Sequence, residues 1–414
     1  MEAFTLKDDM LLGVCLPATQ CEGGELESNW IYWWGLGYVR DHASPAVAAQ
    51  HTEHWQEDIA LAKSLGAQTV RLGVDWTRVE PEEGVFDEAA TEYYRAQLLA
   101  LRDAGLRAAL ELHRFTNPVW FEERGGFERE ENLSAYLAYI EHVAAALGDL
   151  CQDYLTFAEP NAYAVGGYLG GDYPPGRNNP SACFRVLTHM AQCHVLAYSL
   201  LHQLHEAMEY PPCRVSVSLR AQELLPIGGG RFAGVLCSAA KRAFDAAFRA
   251  FYLGRIELPM KYNRYLVPGM YCDFLALDWY GGQRVGEALD LTPFAKRGEL
   301  GRPEALLGLA KRLHALAPLP LHVSLAGVDD GERVDCLAAY LHALAGFSLP
   351  VESCCVSPLL DGFEWLDGNR RRTGLVRVDF ETQQRTIKAS GEFFRCLAAS
   401  RGVDQELLRQ YGAV

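Results

Sequence analysis

No basic stretch followed by an apolar core occurs in Met1–Asp9, so no export signal is expected. No uninterrupted apolar run reaches the roughly 20 residues that a membrane-spanning helix needs, and a membrane partner is not expected. Positive charge is in deficit, with 38 Lys and Arg against 53 Asp and Glu and a net charge of -15. That balance argues against nucleic acid or an anionic membrane surface as a partner. Twelve cysteines are present, yet no C-x-x-C pair or zinc spacing is found among them. They are scattered and mostly sit inside apolar runs, as at Cys151, Cys213, Cys272 and Cys354–Cys355. His189 and Cys193 lie one helical turn apart, but two ligands do not make a site, and no metal is expected. Thiols without an export signal point to the cytoplasm. No G-x-G-x-x-G follows the first expected strand and no phosphate loop is found, so nothing calls for a nucleotide or any other cofactor. Low-complexity linkers and helical-repeat periods are absent as well, so one domain over residues 1–414 is expected.

What is there is an alternation. Short apolar runs are expected as strands at Met10–Ala18, Thr69–Trp76, Leu106–Leu112, Tyr154–Ala158, Arg214–Leu219, Phe274–Tyr280, Leu321–Leu325 and Cys354–Leu360. Amphipathic helical stretches are expected between them at Thr52–Leu65, Ala89–Ala104, Leu133–Leu147, Ala182–Met208, Phe232–Phe251, Glu304–Ala315 and Arg333–Ala345, with Lys388–Ser400 closing the chain. Gly66, Gly105 and Gly148 stop the first three helices. Eight strand–helix units in an α/β chain predict closure into a single (β/α)8 TIM barrel, with a doubly wound open sheet as the alternative.

In such a barrel the chemistry sits where the strands end. Those ends carry Gln20 and Glu22, Arg71 and Trp76, His113, Glu159, Asp278 and Tyr280, Leu325, and Glu364 with Trp365. Pro160 cannot continue a ladder, so it closes its strand and leaves Glu159 at the mouth, a suitable place for proton transfer. Aromatic rings for the apolar faces of a sugar, with amide and carboxylate groups for its hydroxyls, describe a carbohydrate pocket.

The sequence resembles family 1 of the glycoside hydrolases, the β-glucosidase and β-galactosidase group. The resemblance rests on Ala18–Gly23, His54–Ile59, Val70–Arg78, Leu112–His113 leading to Asn117–Trp120, Asp361–Trp365, Gly374–Val376 and Asp379–Gln383, and it covers nearly the whole chain. It implies retaining hydrolysis of β-glycosides by two glutamates flanking the bond. The acid, from an Asn-Glu-Pro motif, falls on Glu159; the nucleophile, from a Thr-Glu-Asn-Gly motif, falls on Leu325 in Ser324–Gly327. Leucine has no lone pair and cannot form the covalent intermediate. The resemblance further implies Gln20, His113, Glu364 and Trp365 as sugar-holding residues, Arg71 beside the nucleophile, and Tyr280 steadying it. Three more positions depart from the pattern: Ala158 replaces its Asn, Ser357 its platform Trp, and Asp278 its Asn two residues before the tyrosine.

Two roles are open for Asp278: a charge partner for Arg71, which Asp75 could also be, or a base activating water on the far side of the sugar from Glu159. The latter is inverting hydrolysis, with acid and base about 6.5–9.5 Å apart. An acid supplied from Asp329, Asp330 or Glu332, in the loop after the seventh strand, is a further alternative. Three functions follow: hydrolysis of β-glycosides by a modified route, binding of a sugar or glycoside without cleavage, or hydrolysis of a non-glycosidic substrate in the same cleft.

Overall fold

Eight segments of the computed structural model, which describes residues 2–227, 231–285, 301–326 and 330–412, pair side by side into a closed parallel barrel. In chain order they are β1 (Leu11–Leu16), β2 (Thr69–Gly73), β3 (Arg107–Glu111), β4 (Asp153–Ala158), β5 (Arg214–Pro226), β6 (Leu275–Val285), β7 (Leu321–Ala326) and β8 (Val351–Ser357). The ring closes where β8 meets β1, Gly13 lying opposite Cys355 and Val14 opposite Val356. With no sheet edge left over, the open doubly wound alternative is excluded. Gly13 is dictated by that closure, because a Cβ there would come within 2.5 Å of Thr69 Cγ2 and 2.7 Å of Cys355 Sγ.

The main helices between and after the strands are α1 (His51–Ser64), α2 (Glu88–Asp103), α3 (Leu133–Leu147), α4 (Pro180–Ala207), α5 (Arg231–Leu253), α6 (Pro303–His314), α7 (Asp330–Ala345) and α8 (Ala389–Ser400). They cover the outer face of the sheet, so β2 and β4 are buried at every residue, as strands covered on both sides must be. Gly66 ends α1 at φ +81°, a conformation that costs a residue without Cβ little, and its N–H donates to Lys63 O at 2.9 Å. Among the described residues no helix is long and apolar enough to cross a membrane.

Four boundaries differ from expectation, and two of them shape the mouth. The second strand stops at Gly73 rather than Trp76, because Asp75 accepts from Thr77 N at 2.9 Å and caps a helical turn, Trp76–Val79. Trp76 is therefore buried, donates to Glu80 Oε2 at 2.7 Å, and reaches the mouth only as part of the wall of a small cavity. The fifth and sixth strands run well past Leu219 and Tyr280. There Glu223 pairs with Gly282 and Pro226 with Val285, so each strand satisfies the other's backbone. The eighth strand occupies Val351–Ser357, earlier than Cys354–Leu360, because Pro358 cannot continue the ladder.

Candidate active site

Glu159 follows β4 directly and adopts φ +56°, ψ +44°, a left-handed conformation uncommon outside glycine. Its N–H donates to Ser218 O at 2.8 Å, and Pro160 starts the next helical turn. This kink aims a fully buried carboxylate across the barrel. Its Oε1 accepts from Arg114 Nη2 at 2.5 Å and from Tyr280 Oη at 2.7 Å, while Oε2 faces Arg220 Nη1 at 3.5 Å. Arg114 Nη2 also donates to Tyr280 Oη at 3.0 Å, and the Arg220 guanidinium lies 3.7 Å from the centre of the Tyr280 ring.

The chain of charges continues inward. Arg114 Nη1 lies 3.5 Å from Glu111 Oε2, which accepts from Arg71 Nε at 2.6 Å. Arg71 then grips Asp278 with both terminal nitrogens, at 2.6 and 3.0 Å, and donates to Ser218 Oγ at 2.9 Å. Ser218 Oγ in turn donates to Asp278 at 2.8 Å. Three guanidiniums thus meet three carboxylates in a largely buried network. Asp278, not Asp75, neutralises Arg71; the Asp75 carboxylate accepts from Thr19 Oγ1 and Thr77 N instead, and its own N–H donates to Tyr94 Oη. Burial alone would raise the Asp278 carboxyl, but the facing charge of Arg71 outweighs it and holds the group below its ordinary value. Burial pushes the Glu159 carboxyl above its ordinary value, against the opposing pull of Arg114 and then Arg220. The Arg71 and Arg114 charges are locked in by these carboxylates.

Of the residues expected to hold a sugar, Gln20, His113 and Trp365 line one small cavity. His113 Nε2 bonds Asn117 Oδ1 at 2.8 Å, and its ring packs edge-on against Phe127, Tyr136, Phe157 and Tyr163. The next residue, Arg114, reaches the network although Glu111 already faces inward, because the chain leaves strand geometry after Glu111. Trp365 is packed against Trp30 and Phe115 at 4.8 and 4.9 Å between ring centres. Gln20 is buried with its Oε1 accepting no hydrogen bond, and Glu364 is half-buried and accepts from Thr373 Oγ1. Between Gln20, Glu111, Arg114 and Trp365 the free space is about 10 Å³, room for a single water molecule. Ala158 is buried, its N–H on His113 O at 2.8 Å; Ser357 is buried with its carbonyl accepting from Arg333 Nη2 at 3.2 Å. Leu325 lies buried in β7 beside Trp279 and Val356. Glu22 belongs to a separate cluster, held by Arg78 Nε at 3.0 Å and by Tyr94 Oη. The side chains of Asp329, Asp330 and Glu332 fall outside the described residues.

Glu111, Arg114 and Arg220 were not anticipated as part of the site. Their signal was an ionisable residue in or just past an apolar strand on two units, β3 and β5, which is costly unless paired. No group of three His, Cys, Asp or Glu side chains among the described residues could hold a metal ion.

The profile of glycosyl hydrolase family 1 matches residues 3–266 and 321–403. A β-glucosidase of Agrobacterium sp. is 27% identical over 94% of this chain and 95% of its own length. The chloroplastic galactolipid galactosyltransferase SFR2 of Arabidopsis thaliana is 26% identical over 88% of this chain and 62% of its own. The structure of a β-glycosidase from Pyrococcus horikoshii superposes with a TM-score of 0.87 at 27% identity, covering 99% of this chain and 98% of that one.

Proposed function

The chain belongs to glycosyl hydrolase family 1, and from its site we propose a member that no longer hydrolyses glycosides and at most holds a carbohydrate weakly. One observation carries this reading: the Glu159 carboxyl sits against two guanidiniums, with Oε1 accepting from Arg114 at 2.5 Å and from Tyr280 at 2.7 Å and Oε2 3.5 Å from Arg220 Nη1. A general acid must hold a proton, and both arginines pull against the protonated form, while the family resemblance puts Leu325 at the nucleophile position. An inverting route through Asp278 is disfavoured, because both its oxygens are engaged by Arg71 and a base held below its ordinary value is a weak one. A monosaccharide ring would have to displace Arg114 to reach the centre, which is why affinity is expected to be low. Twelve free thiols, eleven of them buried, support a reducing compartment such as the cytoplasm.

The test is turnover of aryl β-glucosides and β-galactosides by the purified chain, expected to stay at the uncatalysed rate. Steady release with a trapped glycosyl intermediate would overturn the non-hydrolysing reading. Calorimetry over a panel of sugars and glycosides addresses the binding half. A response unchanged by Glu364→Ala and Gln20→Ala would remove the mouth as a carbohydrate site.

A further inference from the structure

The opposite end of the barrel is hollow. Where the strands begin, a chamber of about 330 Å³ runs inward from the exposed rim residues Asp9 and Arg107 to Cys355 and Ser324 in the barrel's interior. Its walls are small because the inward positions at this level are Ala109, Ala276 and Thr69. The apolar residues here, Leu155, Phe274 and Ala276, form a cluster of their own, separate from the main core that the helices complete. A barrel interior is ordinarily filled by layers of bulky branched side chains. At about 30 Å³ per molecule, this one would hold roughly ten waters, or a ligand of about a dozen non-hydrogen atoms.

The rim alternates in sign. Asp153 accepts from Arg107 at 2.7 Å and from Arg214 at 2.9 and 3.2 Å, and Arg214 passes on to Glu352 at 2.7 Å. His322 completes the row, with Nε2 on Glu352 Oε2 at 3.0 Å and its ring stacked 4.2 Å from Phe274. These pairings fix the donors and acceptors without exhausting them. Among the described residues, Ser353 Oγ and Glu352 Oε1 make no hydrogen bond, and both face the chamber or its entrance. Neighbouring N–H donors and carboxylate oxygens suit vicinal hydroxyls, each of which donates to one and accepts from the other. Charge selects further. Asp9, Asp153 and Glu352 outnumber Arg107 and Arg214, and Arg71 at the roof is already held by Glu111 and Asp278, so no positive charge is left for an anion.

We propose that this chamber binds a neutral, polyhydroxylated molecule of monosaccharide size, its hydroxyls on the Asp153–Arg214–Glu352 row and its carbon skeleton against Ala109, Leu155 and Ala276. The site is separate from the strand-end mouth and does not depend on the reading given for that mouth. Calorimetry and ligand-observed nuclear magnetic resonance with xylose, glucose and inositol, beside inorganic phosphate and ethylamine as charged contrasts, test it on the full chain. The expected result is binding of at least one polyol, weakened about tenfold or more by Ala276→Leu, which fills the chamber, and unchanged by Lys311→Gln on the exposed face of α6. Ser353→Val keeps the packing while removing a hydroxyl, and it decides the matter if Ala276→Leu fails to fold. Three results would each overturn the proposal: no polyol bound up to about 50 mM, binding indifferent to both chamber variants, or binding confined to phosphate or ethylamine.

Discussion

Replacing Asp278 by Asn isolates the central pairing of the mouth. The side chain is 1% exposed, takes Arg71 at 2.6 and 3.0 Å, and accepts from Ser218 at 2.8 Å. The amide keeps the shape but removes a charge from a network in which Arg71, Arg114 and Arg220 are matched by Glu111, Glu159 and Asp278. It also turns an N–H₂ group toward a guanidinium that has no acceptor to offer. Breaking one partner of a buried ion pair costs about 3–5 kcal/mol, because the survivor's charge stays buried and uncompensated. Glu111 remains on Arg71 Nε at 2.6 Å and shares the burden, which places the expected loss toward the lower figure. The assay is urea denaturation followed by tryptophan fluorescence, with Arg71→Met, Asp278→Leu and the double variant Arg71→Met, Asp278→Leu alongside. An apolar pair of similar volume avoids the desolvation cost, so the double variant should be clearly more stable than the two single losses added together. Recovery will be partial, since Glu111 then keeps only Arg114 at 3.5 Å. A loss below about 1 kcal/mol for Asp278→Asn, or strict additivity in the cycle, would refute the claim that this network is a structural unit.

Glu159→Gln should destabilise the protein by about 2–4 kcal/mol, since Arg114 and Arg220 lose their shared anion; a stability gain, the usual outcome when a catalytic carboxylate is removed, would argue that the residue is kept for chemistry. Leu325→Glu should restore little or no retaining turnover and should lower the denaturation midpoint, because a fourth carboxylate joins three already matched; robust nitrophenol release from the single variant would contradict this. Burial lowers both His113 and His194 to about 4, so each is neutral in the folded state. A depressed folded value means that their contribution is intact above the ordinary histidine value of about 6.5 and is lost as pH falls toward 4, and urea midpoints over that range should decline. The decline should be shallower in His194→Gln, where the bonds to Thr156 at 2.7 Å and Tyr271 O at 2.8 Å no longer depend on a titrating ring, and an unaltered slope would count against the reasoning.

The barrel was legible because its signals are local. Helix Leu133–Leu147 was delimited correctly by its apolar spacing and by Gly148, and Glu159 was placed at a strand end by Pro160. The mouth was less legible because part of it lies beyond the strand ends. The strand β3 stops at Glu111, and period-two alternation cannot foresee that Arg114, three residues on, joins Glu111 in the same network. Arg220 was hidden differently. It lies one residue past the expected end of its strand, and only the continued pairing of β5 with β6, Arg220 opposite Asp278, carries it into the network. The chamber at the other end left no motif, since it is made by what Ala109 and Ala276 do not fill.

The persistence of Glu159 is therefore weak support for catalysis, and charge balance explains why. Take the nucleophile carboxylate out of a retaining pair and two things happen together: the acid loses the neighbour that raises its pKa, and the arginine beside the nucleophile loses its counter-ion. On the reading proposed above, the second deficit is met in this chain by Asp278, whose two oxygens engage Arg71. Arg114 and Arg220 in the mouth need anions of their own, and among the described residues Glu159 lies against both. Losing it would take a shared anion from two buried guanidiniums, leaving Arg114 with Glu111 at 3.5 Å, and on that reading this outweighs the loss of an acid without a nucleophile. A glutamate can thus be retained at a former proton-donating position for the sake of its charge alone. The same reasoning ties Glu111 to Arg71 and Arg114, so that no carboxylate of the three can be changed without disturbing the other two.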